Sequence, residues 1–276
     1  MPTDRPTLVR VSGVPSWVDA ARLLGPTFVV ENDVWQASLP REAAADVAAR
    51  LRKVGLGGAL LSVQLRPRLK RTEDRAARTR DARARRETSP GWDKTGVQTD
   101  EEGRWSLTPY KLAAALGRKA RALAVDHVHV LDLGCGVGGN TVGFARNGCR
   151  VTAIERDAQR ARQCTHNLTV YGLASQAHVQ TGDARALTLP PADLWWIDPP
   201  WGTDWDRTCT RLADLPDLTY WRDRARAEGQ RLWAKVPPSF DPTSTPDATA
   251  SAWFGHAPGD RHRVKFVVLT WAFEAP

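Results

Sequence analysis

The stretch VLDLGCGVGGNT, residues 130–141, decides the fold of this chain. An apolar run passes directly into a glycine-rich turn, in which Gly134, Gly136 and Gly139 have the spacing G-x-G-x-x-G. Such a turn lets a ligand approach the backbone closely and directs the first amides of the following helix toward it. The spacing alone suits a nicotinamide dinucleotide as well as S-adenosylmethionine.

Strand-like and helical segments alternate around this turn, from about residue 95 to the end of the chain. This alternation predicts an α/β fold with an open, mostly parallel sheet and helices on both faces. In such a sheet the ligand lies at the carboxyl ends of the strands. The strand-like runs are HVHVLDL (127–133), CRVTAIE (149–155), AHVQTGD (177–183), ADLWWID (192–198), RLWAKV (231–236) and KFVVLTWAF (265–273).

The chain divides into three parts by composition. Residues 1–65 mix short strand and helix patterns and predict a small α+β N-terminal module, and residues 95–276 hold the predicted sheet. Between them lies a basic connector, residues 66–94, whose first part reads RPRLKRTEDRAARTRDARARR. This segment fits a solvated helix with internal ion pairs, and it also fits an arm that follows phosphates.

Charge and composition favour some classes of protein and argue against others. The formal net charge of +8 favours an anionic partner such as a nucleic acid. Neither an apolar run of about 20 residues nor a secretory signal is present, so we expect a cytoplasmic protein without a membrane partner. The four cysteines are far apart and the histidines are scattered, so we expect neither disulfides nor a metal site. The oligomeric state is open.

Two acidic residues end strands that follow the glycine turn. Glu155 lies twenty-one residues after Gly134, where a carboxylate can accept hydrogen bonds from both hydroxyls of a ribose. Asp183, in GDAR, is placed to accept a hydrogen bond from an adenine amino group. The candidate cofactor-binding residues around these positions are Asp132, Gly134, Cys135, Gly136, Asn140, Thr141, Glu155, Arg156, Asp183 and Ala184.

The motif LWWIDPPWG, residues 194–202, distinguishes between the two cofactors. Two prolines without N–H groups leave carbonyl oxygens and the Asp198 carboxylate as acceptors, which suits an amino group with two N–H donors. Accepting those protons directs the nitrogen lone pair toward a methyl donor, and Trp201 offers a face for a stacked base. A dehydrogenase has no use for these acceptors. We therefore take Asp198, Pro199, Pro200 and Trp201 as candidate catalytic residues.

The sequence resembles the trimethylguanosine synthase family, the RNA cap guanine-N2 methyltransferases, over roughly residues 95–275. The resemblance rests on EEGRWSLTPYKLA (101–113), CGVGGNT (135–141), NLTVYGL (167–173) and PPWG (199–202). It implies a class I, Rossmann-like fold, S-adenosylmethionine as cofactor, guanine N2 as acceptor and guanine stacking on Trp201. It also implies that Trp105, Thr108 and Pro109 close the site over the cofactor. Asp198 departs from the family, which typically has Ser before the prolines.

These observations predict a methyltransferase that acts on an exocyclic amine of a nucleic-acid base, with guanine N2 in RNA as the favoured acceptor. Three alternatives stay open: an adenine-N6 RNA or DNA methyltransferase, a small-molecule amine methyltransferase, and a catalytically inert RNA-binding protein. Trp105, Trp205 and Trp221 are further candidates to contact the base. We expect Trp195, Trp196, Trp233 and Trp271 to lie in the core.

Overall fold

The N-terminal part of the protein is built on a four-stranded antiparallel sheet. The computed structural model describes residues 6–202 and 204–274. The first elements are β1 (Thr7–Ser12), α1 (Ala20–Leu24), β2 (Val29–Glu31), β3 (Val34–Leu39), α2 (Arg41–Leu51), β4 (Gly55–Leu56), β5 (Ala59–Leu60) and β6 (Ser62–Arg66). The sheet has the order β2-β3-β1-β6, with β4 and β5 forming a separate short hairpin. Strand order and connections are those of a βαββαβ, ferredoxin-like unit.

The arginine-rich segment continues this unit as a packed helix. Helix α3 (Arg71–Ala84) lies along α2, with Ala77 fully buried against Ala45 and Ala49. Ion pairs tie the two helices together, including Arg80 to Asp46 at 2.7 Å. Each exposed pair contributes about 0–1 kcal/mol. Part of the basic connector is thus a docked helix with ion pairs, as one of the two interpretations predicts, and the role of its arginines as a phosphate-binding arm stays a prediction.

The rest of the chain forms a second, larger sheet. Its elements are α4 (Glu101–Ser106), α5 (Tyr110–Arg121), β7 (His129–Leu133), α6 (Gly139–Ala145), β8 (Arg150–Glu155), α7 (Ala158–Tyr171), β9 (Ala177–Thr181), β10 (Leu194–Ile197), α8 (Pro216–Ala227), β11 (Arg231–Val236), β12 (Thr249–Phe254) and β13 (Val264–Ala272). The strand order is β12-β13-β11-β10-β7-β8-β9. From β9 to β11 all neighbours are parallel, and β13 is antiparallel to both β11 and β12. The predicted open, mostly parallel sheet is confirmed.

Strand β10 lies in the middle of this sheet and is buried on both faces. All four of its residues are enclosed, which is why it reads as a continuous apolar run. Alternation sends Trp195 and Trp196 to opposite faces. Trp196 meets Phe144 edge to face at 5.5 Å, and Trp195 meets Trp221 in the same way at 5.9 Å. The two tryptophans therefore anchor the helical layers on either side of the sheet.

The expectation that Trp221 contacts a base is wrong. Trp221 lies on α8, is 6% exposed and packs into the core beneath the sheet. Its burial follows from the helical spacing of α8, which turns Leu218, Trp221 and Ala225 inward together. Trp233 and Trp271 are buried as expected.

The order of the strands creates a crevice at the carboxyl ends of β7 and β10. From β7 the chain proceeds to β8 and β9 on one side, and it later returns to β10 and β11 on the other side. Ligands of open α/β sheets bind at such a switch point. Both the glycine turn after β7 and the Asp-Pro-Pro-Trp motif after β10 lie at this edge. No helix in the described ranges is both long and apolar enough to cross a membrane.

Replacing Trp195 tests this account of the core. We expect Trp195→Ala to lower the free energy of unfolding by about 3–5 kcal/mol, because a cavity opens between β10 and α8. Chemical denaturation followed by circular dichroism measures the change. Val125→Ala, at a side chain that is 92% exposed, is the control and leaves stability nearly unchanged. A loss at Trp195 no larger than that at Val125 contradicts the packing described.

Candidate active site

The glycine turn after β7 leaves open space beside its backbone. The amides of Gly134 and Cys135 donate to the carbonyl of Ile154 at 2.8 and 3.0 Å, which fixes the turn to the end of β8. Gly134 and Gly136 have φ values of +93° and +55°, and a Cβ at either would meet no atom within 4 Å. At both positions the backbone is thus open to a ligand, and a side chain would be strained.

Glu155 closes the turn from the neighbouring strand. Its Oε2 accepts from the amide of Gly136 at 2.8 Å, and its Oε1 accepts from the amide of Asp157 at 2.9 Å. The side chain is 7% exposed. The structure therefore brings together the glycine turn and the acidic strand end that the sequence analysis paired. Arg156, the next residue, is exposed, and ribose recognition by Glu155 stays a prediction.

Asp132 and Thr141 support the turn from behind. Thr141 Oγ1 donates to Asp132 Oδ2 at 2.6 Å, and both side chains are almost fully enclosed. Burial raises the pKa of the Asp132 carboxyl to about 7, with a smaller contribution from the nearby Asp198 and Glu155 carboxylates, while the Thr141 hydrogen bond opposes the shift. The pair connects β7 to α6 at the base of the site.

A buried lysine, Lys235, meets the Asp198 carboxylate. Its Nζ lies 2.6 Å from Asp198 Oδ2, 3.1 Å from Thr108 Oγ1 and 3.2 Å from the carbonyl oxygen of Ser106. These acceptors satisfy the three N–H donors of an ammonium group. Burial raises the pKa of the Asp198 carboxyl, and Lys235 acts against that shift. The Lys235 side chain is 7% exposed and that of Asp198 18%.

Sequence reasoning missed Lys235, although one signal was present. The residue lies inside the apolar run RLWAKV, which forms β11. A lysine is almost never fully buried unless it is paired. A lysine within a central strand therefore indicates a buried acceptor, but the sequence does not say which one.

Asn140 lies at the start of α6, near Asp198. Its side chain lowers the pKa of the Asp198 carboxyl. Its Oδ1 is buried and has no hydrogen-bond partner among the described residues. An orphaned acceptor between the turn and the carboxylate fits a site made for a polar ligand, since an unpaired buried acceptor is costly.

Trp201 lies at the edge of the same crevice. It is half-buried, and its Nε1 donates to the carbonyl of Lys235 at 3.5 Å. Trp205 packs edge to face on it, with ring centroids 5.6 Å apart. Pro199 is buried and Pro200 exposed. The structure thus places Asp198 beside the glycine turn with an accessible aromatic pair next to it.

The segment before β7 covers the glycine turn. Arg160 Nε donates to Asp100 Oδ2 at 2.8 Å and holds the start of α4, while Lys235 holds its end. A Cβ on Gly139 would lie 2.4 Å from Leu107 Cδ1, so this segment touches the start of α6. Thr108 and Pro109 are buried here, and the side chain of Trp105 lies outside the described residues.

Asn167, from the NLTVYGL stretch, fastens the same covering layer. Its Nδ2 donates to the carbonyl oxygens of Val137 and Gln98 at 2.9 and 2.8 Å, and its Oδ1 accepts from the Gln98 amide at 2.7 Å. The side chain is fully buried. A single amide thus joins the glycine turn to the chain that leads into α4.

Asp183 lies in an exposed turn two residues after the end of β9. Its Oδ1 accepts from the amide of Arg185 at 2.9 Å, and the neighbouring Ala184 is buried. This bond shapes the loop at the far side of the crevice. Recognition of adenine by Asp183 stays a prediction.

One protein family and several known proteins are similar to this chain in sequence. Residues 127–208 match the model of the RNA cap guanine-N2 methyltransferase family. Trimethylguanosine synthase of Schizosaccharomyces pombe is 32% identical over 117 residues, which are 39% of this chain and 47% of that protein. Trimethylguanosine synthase of Saccharomyces cerevisiae is 25% identical over 116 residues, which are 40% of this chain and 37% of that protein. The chain thus spans less than half the length of these two relatives.

A crystal structure of a putative RNA methyltransferase from Pyrococcus horikoshii is also similar. It has a TM-score of 0.46 and 14% identity, over 66% of this chain and 95% of that one. The family match, the sheet order and the glycine turn define a class I, Rossmann-like domain with S-adenosylmethionine as cofactor. The resemblance to the trimethylguanosine synthase family is confirmed over residues 127–208.

The raised pKa of Asp132 generates a stability prediction. In the folded state the Asp132 carboxyl keeps its proton up to about pH 7, whereas an unfolded Asp loses its proton at about pH 4. Between these values the folded state binds more protons, so this group lowers stability as pH rises, by up to about 1.4 kcal/mol per pH unit.

We expect Asp132→Asn to remove that slope, because an amide does not titrate in this range, and to keep the local structure, because Asn still accepts from Thr141 Oγ1. Urea denaturation of the cofactor-free protein at several pH values measures the difference between the two proteins. Asp193→Asn, at an exposed aspartate before β10, is the control. A difference between wild type and Asp132→Asn that stays constant across this pH range argues against the raised pKa.

Proposed function

We propose that the protein transfers a methyl group from S-adenosylmethionine to the exocyclic N2 amine of a guanine in RNA. One observation carries the proposal: the Asp198 carboxylate, at the head of the Asp-Pro-Pro-Trp corner, binds Lys235 Nζ at 2.6 Å, and the same ammonium binds Thr108 Oγ1 in the segment that covers the glycine turn. The acceptor groups for an amine and the open backbone for a cofactor therefore meet at one point of the crevice.

The residues of the corner have complementary roles in this proposal. The cofactor supplies an electrophilic methyl group on a sulfonium. A guanine amine is a poor nucleophile because its lone pair is delocalised into the ring. Asp198 and the proline carbonyls accept its N–H protons, which turns the lone pair away from the ring and stabilises positive charge on the nitrogen. Trp201 holds the base by stacking, which contributes about 1–3 kcal/mol.

In this proposal the cofactor lies against the glycine turn. The open backbone at Gly134 and Gly136 accepts the cofactor in close approach, and Glu155 receives its ribose at the adjoining strand end. Asp183 takes the adenine amino group on the far side. Thr108 and Pro109 belong to the covering segment and exclude water from the reacting atoms, and closure of the site by Trp105 stays a prediction.

RNA as the partner is supported by charge and by the relatives. The family is described as acting on RNA cap guanine N2, and two of the relatives are trimethylguanosine synthases. The chain carries a net charge of +8. Arg71, Arg75 and Arg78 line one shallow exposed groove along the outer face of α3, away from α2. Their spacing of four and three residues puts them on one side of the helix, as phosphate contacts along a strand require.

Replacing Asp198 tests the catalytic assignment. We expect Asp198→Asn to be less stable than wild type, because the Lys235 ammonium loses its anion, but still to bind S-adenosylhomocysteine, since the Asn oxygen accepts from Lys235. We expect its turnover to fall by roughly 100-fold or more, because the carboxylate charge is lost. Isothermal titration calorimetry measures binding, and labelled methyl transfer into RNA measures turnover.

The neighbouring Asp204→Asn, at an exposed carboxylate in the same loop, is the matched control and retains activity. Nucleoside mass spectrometry of the treated RNA identifies the product as N2-methylguanosine. Retained turnover in Asp198→Asn, or N6-methyladenosine as the product, contradicts the proposal.

The groove on α3 generates a prediction for RNA affinity. We expect the double variant Arg71→Gln, Arg75→Gln to bind single-stranded RNA more weakly and to reduce the slope of log affinity against log salt by about 1–2. Fluorescence anisotropy at several salt concentrations measures both effects. Arg150→Gln, at an exposed residue where β8 begins, opposite the site edge, is the control. An unchanged slope in the double variant would exclude these arginines from the RNA path.

A further inference from the structure

One face of the N-terminal sheet is packed and the other is open. Val9 and Ala37 are buried in the core of the N-terminal unit. Because successive side chains of a strand point to opposite faces, the residues next to them point away from that core. They are half-buried or exposed. This open face consists of every second residue of β1, β3 and β6, starting from Leu8, Val34 and Ser62.

The middle of the open face is a row of three polar side chains. Arg10 of β1 is paired directly with Gln36 of β3 on one side and with Gln64 of β6 on the other. Directly opposite residues of antiparallel strands have Cβ atoms about 4.5–5.5 Å apart, so the three side chains are neighbours. Serines occupy the next outward positions along the strands: Ser12, Ser38 and Ser62. The open face therefore presents guanidinium, amide and hydroxyl donors side by side.

Arg10 lacks an anionic partner among the described residues. Its Nε is enclosed and has no hydrogen-bond partner in that part of the chain. Glu31, which β2 places on the same side of the sheet, accepts instead from Gln36 Nε2 at 2.5 Å. An enclosed donor that stays unpaired costs free energy. An anionic ligand is the kind of partner that satisfies a guanidinium best.

We propose that the open face binds the phosphate backbone of single-stranded RNA, with Arg10 on a phosphate and Gln64 and the serine hydroxyls as neutral donors beside it. The inference rests on the proposed function for the identity of the partner and deepens it: the RNA that presents a guanine to the crevice is also held by the N-terminal unit. Arginine, glutamine and serine side chains all donate to phosphate oxygens in nucleic-acid complexes. Such contacts position the strand without reading its bases.

The composition of the open face favours the RNA backbone over a protein partner. Its aliphatic residues are Leu8 and Val34, and none of its positions, all of which the structure describes, holds an aromatic residue. Trp35 of β3 packs toward the core instead. Aromatic residues are enriched in protein interfaces and serve as stacking platforms for bases. An arginine without an anion, set among neutral donors, is complementary in charge to phosphate.

The open face is also close along the chain to the groove on α3. Arg66 is the last outward residue of β6, which is an edge strand, and Arg71 begins α3 five residues later. Five residues span at most about 18 Å. One strand of RNA can therefore contact the α3 groove and the open face together.

Gln64→Glu tests the inference, because it gives Arg10 the anion that the row lacks. We expect this variant to unfold at the same temperature as wild type or a higher one, since opposite charges directly across two strands stabilise a sheet. We expect it to bind RNA at least about tenfold more weakly, because the new carboxylate pairs with Arg10 and repels phosphate. The slope of log affinity against log salt falls by about 1.

Fluorescence anisotropy of the whole chain with a labelled oligouridylate, at several salt concentrations, measures both effects. Gln176→Glu, at an exposed residue just before β9, changes the net charge equally and is the matched control that binds as wild type does. Equal RNA binding by the two variants overturns the inference.

Removal of the arginine gives a second measurement. Arg10→Met is expected to lose RNA affinity to a similar extent, while Arg118→Met, at an exposed arginine of α5, is its control and keeps the affinity. Binding of S-adenosylhomocysteine and the unfolding temperature verify that each variant is folded. Wild-type affinity in folded Arg10→Met overturns the inference, and Gln64→Glu remains decisive if Arg10→Met does not fold.

The probe keeps this result distinct from the proposed function. Oligouridylate contains no guanine, so its binding does not depend on the acceptor base. Absence of N2-methylguanosine from treated RNA refutes the proposed function, whereas weakened binding by Gln64→Glu still supports the open face as an RNA contact. A normal methylated product together with wild-type binding by Gln64→Glu refutes the inference alone.

Discussion

A charged amine inside a sheet is tolerated only while all of its N–H groups are paired, and Lys235 meets this condition with acceptors from separate parts of the chain. Asp198 follows β10, Thr108 precedes α5, and Ser106 ends α4. Loss of any one acceptor leaves a buried donor unsatisfied. The geometry of the corner after β10 and the position of the segment that covers the glycine turn are therefore linked through one atom.

The N-terminal unit supports the other side of the site. A Cβ on Gly55 would lie 2.3 Å from the carbonyl oxygen of Arg207, in the loop that carries Trp201 and Trp205. Phe254, at the end of β12, is part of the hydrophobic core of the N-terminal unit, and the Arg22 guanidinium stacks on its ring at 5.0 Å. Only a glycine allows this close approach at position 55. The β4–β5 hairpin of the N-terminal unit thus packs against the loop that carries Trp201 and Trp205.

Much of the fold was predictable because the signals were local. The glycine turn, the strand-like runs and the acidic strand ends each lie within a few consecutive residues, and parallel strands bring their carboxyl ends to one edge. Lys235 was not predictable, since its partners lie 37, 127 and 129 positions away. Trp221 was wrongly assigned because its proximity to the motif in sequence says nothing of the face that α8 buries. The docking of α3 on α2 likewise depends on pairs that are distant in sequence.

Asp198 and Lys235 are best understood as one unit. The resemblance leads one to expect Ser before the prolines, and a Ser at position 198 would leave the Lys235 ammonium buried without an anion, at a cost of several kcal/mol. Conversely, Asp198 without Lys235 would carry an uncompensated charge. Stability does not explain why such a pair is present, because apolar residues of similar volume often replace buried ion pairs without loss. Its location explains it: the pair lies where the loop after β10 and the covering segment meet, so it fixes the positions of both.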